Sequence, residues 1–195
     1  MDIPALDPRR KPEPVSWTNL VGAAPSGPDG SWLTRPSAGA GDAGASSAQL
    51  ITHGEGWVEW KATNVGTARV CGLSYGADAD GNVSFAGVDF GIVLDANGSF
   101  GISEGGTRVP GPNGGTVWGS YAAGDRFRVS VTARPDGAAD VHYALIAGST
   151  PECPVEACQG TPLRTVGPVS YPLHVDAALR EVGSSLADVH LVRIQ

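Results

Sequence analysis

The chain has 195 residues, of which 41% are hydrophobic and 17% are charged, and its formal net charge at pH 7 is −7. The hydrophobic fraction excludes a disordered chain, so the 28 glycines and 15 prolines are interpreted as turns between short strands. The acidic charge argues against a nucleic-acid partner, because that binding depends on clustered Lys and Arg. No stretch of sequence approaches the roughly 20 apolar residues of a membrane-spanning helix.

The first 14 residues are expected to form a linker or tail. They contain four prolines, mixed charge and no hydrophobic periodicity. They also lack the hydrophobic segment of a signal peptide. Residues 15–195 are expected to form one domain, because strand patterns recur to the end of the chain.

Short alternating segments follow one another along this domain. Residues 37–47 are mostly Ala, Gly and Ser and predict a flexible loop, or else a close crossing of backbones. Residues 176–181 are the one stretch that favours a helical turn. About ten short strands with turn signals roughly 8 to 12 residues apart predict an all-β, two-sheet antiparallel sandwich or jelly roll. The strand candidates are 15–21, 31–34, 49–52, 57–62, 69–74, 88–94, 99–104, 123–131, 141–145, 171–175 and 189–194.

The domain is organised around residues 71–94, which comprise a strand, an acidic Gly-rich loop and a second strand. In the second strand Val88, Phe90, Ile92 and Leu94 alternate with Asp89, Gly91, Val93 and Asp95. Such alternation is typical of a strand with one buried face. We therefore expect the face that carries Asp89 to be open to a partner.

The loop between these strands carries Asp78, Asp80 and Asn82, close to Tyr75. This odd spacing is typical of oxygen ligands in a calcium loop, but the bidentate Glu that closes an EF-hand is missing. The other interpretation is a solvated turn stabilised by Asx hydrogen bonds. The incomplete ligand set favours the turn, so we expect no cofactor, with calcium as the alternative.

The three cysteines have two expected roles. Cys153 and Cys158 are five residues apart in a Pro-containing loop, a spacing that permits a small disulfide ring. Cys71 shares a strand face with Leu73 and is expected in the core as a small hydrophobic residue.

Several aromatic residues are able to stack on the apolar face of a sugar ring. Trp60 is expected in the core, whereas Trp57 and Trp118 are expected to be exposed. Trp57 alternates with Glu59 and Lys61, and Trp118 follows a Gly-rich loop. A ligand-binding rim is therefore predicted from Tyr75, Asp78, Asp80, Asn82, Asp89 and Trp118.

The order of motifs resembles a bacterial module of the concanavalin A-like lectin/glucanase superfamily, with similarities to SPRY domains. This resemblance implies two curved antiparallel sheets packed face to face, a fold that hosts lectins, glycosidases, peptide binders and passive spacers. The motifs are WTNLV from Trp17, ASSAQ from Ala45, GEGWVE from Gly54, CGLS from Cys71, VDFGI from Val88, GSYAAGDRFRV from Gly119, VHY from Val141 and YPLHVD from Tyr171.

The resemblance also allows a test for glucanase activity. Retaining glucanases of this superfold carry Glu-x-Asp-x-x-Glu on one strand, which places two carboxylates across a cleft. When Asp89 is aligned with the middle Asp, Gly87 and Ile92 occupy the positions of the two glutamates. We therefore expect no catalytic residues and no enzyme.

The leading functional prediction is a non-catalytic, lectin-like module that binds carbohydrate or a glycan-bearing surface. The alternative is a structural or adhesive module of an appendage, fibre or assembly that binds protein partners, and a glycoside hydrolase is third. The resemblance and the expected cysteine pair favour a location outside the cell or at its surface.

Overall fold

A computed structural model describes residues 11–76, 84–146 and 160–194. Its strands form two antiparallel sheets of eight strands each, called sheet A and sheet B. This confirms the predicted all-β sandwich. In the described ranges the helical structure is one short 3₁₀ turn, Phe85–Gly87, and no helix there has the length and hydropathy of a membrane span.

Sheet A is the more solvent-exposed of the two. Its neighbours run in the order β14, β13, β12, β6, β16, β4, β3, and β1 pairs with β16. Its strands are β1 (Glu13–Pro14), β3 (Ala24–Ser26), β4 (Trp32–Thr34), β6 (Glu55–Ala62), β12 (Arg126–Ala133), β13 (Ala139–Ile146), β14 (Thr161–Val169) and β16 (Ser185–Ile194).

Sheet B has its most deeply buried strands in the centre. Its order is β10, β9, β8, β7, β15, β5, β2, and β11 pairs with β9. Its strands are β2 (Trp17–Val21), β5 (Ala43–Ile51), β7 (Arg69–Tyr75), β8 (Phe90–Leu94), β9 (Ser99–Glu104), β10 (Thr107–Arg108), β11 (Gly119–Ser120) and β15 (Leu173–Leu179).

An aromatic cluster fills the space between the sheets. Trp60 of β6 stacks near Phe127 of β12 with ring centroids 6.1 Å apart, and Phe100 of β9 meets Phe127 edge-on at 5.3 Å. These side chains alternate with outward polar residues, so the period-two pattern assigns them to the core. The expected burial of Trp60 is confirmed.

The outer face of sheet B, meaning the face turned away from sheet A, is covered rather than open. Val70, Val93 and Ala178 project from it and form a second apolar cluster with Val88, against which Phe85 packs. β8 begins at Phe90, so Val88 precedes the strand and folds over the outer face instead of joining the core face. The expectation that this face is open to a partner is therefore wrong where Val70 and Val93 are covered.

Two stretches of small residues are strands where the sequence predicted other structure. Ala43–Ile51 is the strand β5, and its first five residues are buried, because Ala, Gly and Ser allow close packing on both faces. Leu173–Leu179 is the fully buried strand β15, and residues 180 and 181 are not helical, so the helical turn expected over 176–181 is wrong. The structure also includes Glu13 and Pro14, from the end of the predicted linker, in β1.

Cys71 lies in the core, as expected, with an exposed fraction of 0%. Burial, with a smaller effect of the Asp176 carboxylate, raises the pKa of its thiol well above the usual value. Cys153 and Cys158 lie outside the described residues, and their disulfide stays a prediction.

Gly91→Ala tests the cover over sheet B. A Cβ at Gly91 would lie 2.6 Å from Cγ2 of Val70 and 3.0 Å from Cγ1 of Val88, so the cover has to shift. We expect the free energy of unfolding, measured by urea denaturation, to fall by about 1–3 kcal/mol. Gly115→Ala is the control, because nothing lies within 4 Å of its Cβ position. Equal urea midpoints for the two variants would contradict the packing described.

Thiol labelling tests the cysteines. In the native, unreduced protein we expect Cys71 to stay unlabelled at pH 8, because it is buried and its raised pKa suppresses the reactive thiolate. Unfolding without reductant should expose one thiol, and the intact mass should be two hydrogens below that of the reduced chain. Labelling of all three cysteines under those conditions would rule out the Cys153–Cys158 bond.

Candidate recognition site

Tyr75 and Asp89 meet at one end of sheet B. Asp89 Oδ2 accepts the backbone N–H of Tyr75 at 3.0 Å, and the ring of Tyr75 packs edge-on against Phe90 at 5.2 Å. The side chain of Tyr75 is 46% exposed. Burial of part of the ring, and then the nearby Asp89 carboxylate, raise the pKa of its hydroxyl. Tyr75 therefore stays neutral at physiological pH and presents a fixed aromatic surface.

An ion pair lies next to this aromatic surface. Glu104 pairs with Phe90 across β9 and β8. Its two carboxylate oxygens accept Nε and Nη2 of Arg164 at 2.8 and 3.0 Å. Arg164 is in sheet A, so this bidentate pair also joins the two sheets. We call Tyr75, Asp89, Phe90, Glu104 and Arg164 the Tyr75 rim.

Asp89 holds the rim together and is less available than the sequence suggested. Besides the bond to Tyr75, its own N–H donates to Ser74 Oγ at 3.1 Å, and its carbonyl accepts the N–H of Gly105 at 2.8 Å. Ser74 in turn donates to Asp176 Oδ2 at 2.8 Å. Asp89 thus fixes the ends of β7 and β8 and the turn between β9 and β10.

The predicted ligands of the acidic loop, Asp78, Asp80 and Asn82, lie outside the described residues. Within the described residues, no group of three or more His, Cys, Asp or Glu side chains is placed to hold a metal ion. Calcium binding by the loop remains an expectation from its sequence.

Trp118 is not on the Tyr75 rim. The backbone N–H of Trp118 donates to the carbonyl of Phe100 in β9. Phe100 pairs with Leu94 of β8, and Leu94 pairs with Arg69 at the start of β7. Tyr75 is six residues farther along that strand, a separation of about 20 Å. The expectation that Trp118 shares a rim with Tyr75 is therefore wrong, because the strand register places the two residues at opposite ends of sheet B.

Trp118 holds the Gly-rich loop in place instead. It is partly buried against the core, and its indole N–H donates to the carbonyl of Val109 at 3.0 Å. Gly111 lies against the ring, since a Cβ there would be 3.3 Å from Cδ1 of the indole. Trp118 is therefore partly buried and packs against the loop, and the expectation that it is exposed is wrong.

A pocket that the sequence did not indicate opens on the outer face of sheet B, at the border of its cover. It has a volume of ≈ 360 Å³, and its lining includes Phe85, Ser103, Arg108 and Arg180 with Asp42. We call this cavity the arginine pocket. Arg108 and Arg180 are isolated in the sequence and 72 residues apart, so only the pairing of strands brings them together.

Trp57 lies on the outer face of sheet A. The Arg128 guanidinium stacks over its ring at 4.6 Å and donates to Glu59 Oε2 through Nε and Nη2, at 3.0 and 2.6 Å. Arg126 pairs with the other oxygen of Glu59. Trp57 is partly buried by this arrangement, rather than freely exposed.

The sequence matches no protein-family model and no curated protein. The structure is similar to the TRIM65 PSpry domain, with a TM-score of 0.56 and 13% identity over 91% of this chain and 90% of that chain. It is also similar to the SPRY domain of human HERC1, with a TM-score of 0.53 and 12% identity over 95% of this chain and 99% of that chain. A further human SPRY domain gives a TM-score of 0.52, 12% identity and coverages of 90% and 96%.

At these identities the likenesses show the fold alone. They confirm the SPRY-like sandwich that the sequence resemblance implied. The bacterial source in that resemblance has no support among them.

Trp118→Ala distinguishes packing from ligand contact at this position. We expect the free energy of unfolding to fall by about 2–3 kcal/mol, somewhat less than for a fully buried Trp, because the ring is half-buried and its N–H bond is lost. Thermal or urea denaturation measures the change. The neighbouring Val117 is exposed, and Val117→Ala should stay within about 0.5 kcal/mol of the parent. Equal stability of the two variants would return Trp118 to the list of candidate contact residues.

Proposed function

We propose that the chain is a non-catalytic binding module that recognises carbohydrate at the Tyr75 rim. The observation that supports this best is the exposed ring of Tyr75, which is held edge-on by Phe90 while Asp89 bonds its backbone. A recognition site needs such a rigid apolar plane, because ordering a mobile side chain on binding costs affinity.

Polar groups beside the ring supply the second requirement of a sugar site. Glu104 and Arg164 are both partly exposed, and their bidentate pairing fixes their positions. A sugar ring stacked on Tyr75 would bring its hydroxyls within reach of carboxylate and guanidinium groups, which make the stronger class of hydrogen bond. The Tyr75 rim therefore combines an aromatic plane with preorganised donors and acceptors.

The surroundings of Asp89 support a non-catalytic role. Of the two positions where a retaining glucanase carries its glutamates, Gly87 lies in the 3₁₀ turn and Ile92 is buried in the core. Asp89 itself is engaged, because its carboxylate accepts the N–H of Tyr75 and its carbonyl accepts the N–H of Gly105. Recognition of a glycan without cleavage fits these side chains better than hydrolysis does, and it accords with the cell-surface location expected from the sequence.

The second candidate function is binding of a protein partner in an assembly. It is favoured by Leu20 and Val21, adjacent hydrophobic residues on β2 that are both exposed. In the described part of the chain β2 ends sheet B on that side, so its backbone is positioned to pair with another strand. Lack of binding to acidic, neutral and amino-sugar polysaccharides would favour protein binding over carbohydrate binding.

Tyr75→Ala tests the carbohydrate proposal. In affinity electrophoresis with a panel of polysaccharides, we expect retardation of the parent protein and loss of that retardation in the variant, because the stacking surface is removed. Its free energy of unfolding should fall by only about 1 kcal/mol, the contribution of one aromatic pair.

Trp57→Ala is the matched control, since Trp57 is a partly exposed aromatic residue on the opposite sheet. It should keep the retardation of the parent protein. If Trp57→Ala loses binding and Tyr75→Ala does not, the outer face of sheet A is the site, and the Tyr75 rim is excluded.

A further inference from the structure

The arginine pocket is a built cavity at the border of the apolar cover. Its floor consists of Val93 and Ser103, whose exposed fractions are 2% and 3%, and Phe85 and Gly106 contribute to its walls. The floor belongs to the central strand β8 and its neighbour β9, so it cannot move without disturbing the sheet. Its volume of ≈ 360 Å³ falls within the range of small-ligand sites.

Arg108 forms one side of the pocket. It pairs with Ser103 across β10 and β9. Gly101 gives its guanidinium room to lie against the sheet, because a Cβ there would be 2.6 Å from Nη1. Asp95 Oδ1 accepts Nη2 at 2.5 Å. Among the described residues that is the only hydrogen-bond partner of this guanidinium, so its other donors are not used within that part of the protein.

Arg180 also lines the pocket. Its guanidinium lies over the ring of Phe85 at 4.2 Å, which leaves the donor edge of the group pointing away from the ring. Its Nε is 3.6 Å from Asp42 Oδ1, too far for a hydrogen bond. Asp42 Oδ2 instead accepts the N–H of Phe85 at 3.1 Å. Arg180 is thus held in place by stacking while its hydrogen-bonding capacity is little used.

A buried arginine fixes the backbone on this side. Arg35 is 5% exposed, and its Nη1 donates to the carbonyls of Arg180 at 2.7 Å and Gly41 at 2.9 Å. These carbonyls belong to Arg180 itself and to the residue before Asp42. The Arg180 side of the pocket is therefore preorganised by a group that does not line it.

The chemistry of the lining identifies the kind of ligand. Two guanidinium groups line the pocket with one carboxylate, Asp42, and Asp95 beside the pocket is paired with Arg108, so a ligand carboxylate would be held by the unused donors of the two arginines rather than by an excess of positive charge. The planar donor forks of Arg match a carboxylate in two-point contact. Phe85 and Val93 offer apolar surface and Ser103 a hydroxyl, a mixture suited to a sugar ring rather than to a bare ion.

We propose that the arginine pocket binds the carboxylate of an acidic sugar, of the uronic-acid type, between Arg108 and Arg180. This rests on the proposed carbohydrate function and adds the chemical class of the ligand. The pocket and the Tyr75 rim share the β9–β10 turn, where Gly105 bonds to Asp89 and Gly106 lines the pocket. The two surfaces therefore adjoin at this turn, with Tyr75 packed on Phe90 on the inner side of sheet B and the pocket open on the outer side.

The test titrates the full chain with glucuronate, and with glucose and sulfate as comparison ligands. Amide chemical shifts and calorimetry measure the binding. We expect glucuronate to shift the Ser103 and Gly106 signals, and glucose and sulfate to leave them nearly unchanged. Arg108→Gln and Arg180→Gln should each weaken glucuronate binding by about tenfold or more, the loss of one charge-assisted contact. Arg134→Gln is the control, since Arg134 pairs with Asp136 and Asp140 on sheet A.

Equal shifts with sulfate would reduce the pocket to a general anion site, and absence of shifts at Ser103 and Gly106 would overturn the proposal outright. Both readouts use the parent protein, so they stand even if an arginine variant fails to fold. If polysaccharide binding depends on Tyr75 but glucuronate causes no response, this inference is contradicted and the proposed carbohydrate function is still supported. A glucuronate response in the pocket, with polysaccharide binding unchanged by Tyr75→Ala, would support this inference and exclude the Tyr75 rim as the carbohydrate site.

Discussion

Burial of sheet B on both faces is the constraint on which the rest of the structure depends. All five residues of β8 and all seven of β15 are buried, as are six of the seven in β7. The inner face packs on sheet A, and the outer face lies under Phe85 and Val88. A strand covered on both sides favours side chains that are apolar, small or hydrogen-bonded.

This constraint explains which polar residues the outer face of sheet B contains. Ser74, buried there, donates to Asp176 and accepts from the backbone of Asp89, so each group has a partner. Gly91 carries no side chain where Val88 comes closest to the strand. Recognition is therefore excluded from the centre of this face and is possible only at its borders, where the cover ends. The arginine pocket is at such a border, and the Tyr75 rim lies at the end of the sheet, on the side where Glu104 and Arg164 join it to sheet A.

The sequence predicted the fold because alternating strands with frequent turn residues have few other solutions. The prediction of buried and exposed faces failed where a segment outside the strand covers one of its faces. Alternation placed Val88 with Phe90 in the core and Val93 toward a partner, since no local pattern reveals that the chain folds back over its own sheet. The small residues over 37–47 suggested a loop, although β5 begins at Ala43, because their side chains are too short to indicate which faces are buried.

The candidate site was predictable only in part, because spacing along the chain does not give strand register. Tyr75 and Asp89 flank one connection, so their proximity followed from the sequence, and the structure joins them by a hydrogen bond. Trp118 was grouped with them by residue type, and the pairing of β7, β8 and β9 separates it from them. Arg108 and Arg180 come together through the same pairing, which no motif indicates.

The outer face of sheet A shows why exposure alone does not make a site. It is the more open sheet surface and carries Trp57, yet its polar groups are already paired with one another. Glu59 is bonded to Arg126 and Arg128, and Arg128 also covers the ring of Trp57. A ligand there would have to displace Arg128 from the ring of Trp57 before stacking on it, whereas the exposed ring of Tyr75 and the unused donors of Arg108 require no such exchange. Unused hydrogen-bonding capacity held on rigid backbone, rather than accessible area, is what directs recognition to the edge of sheet B.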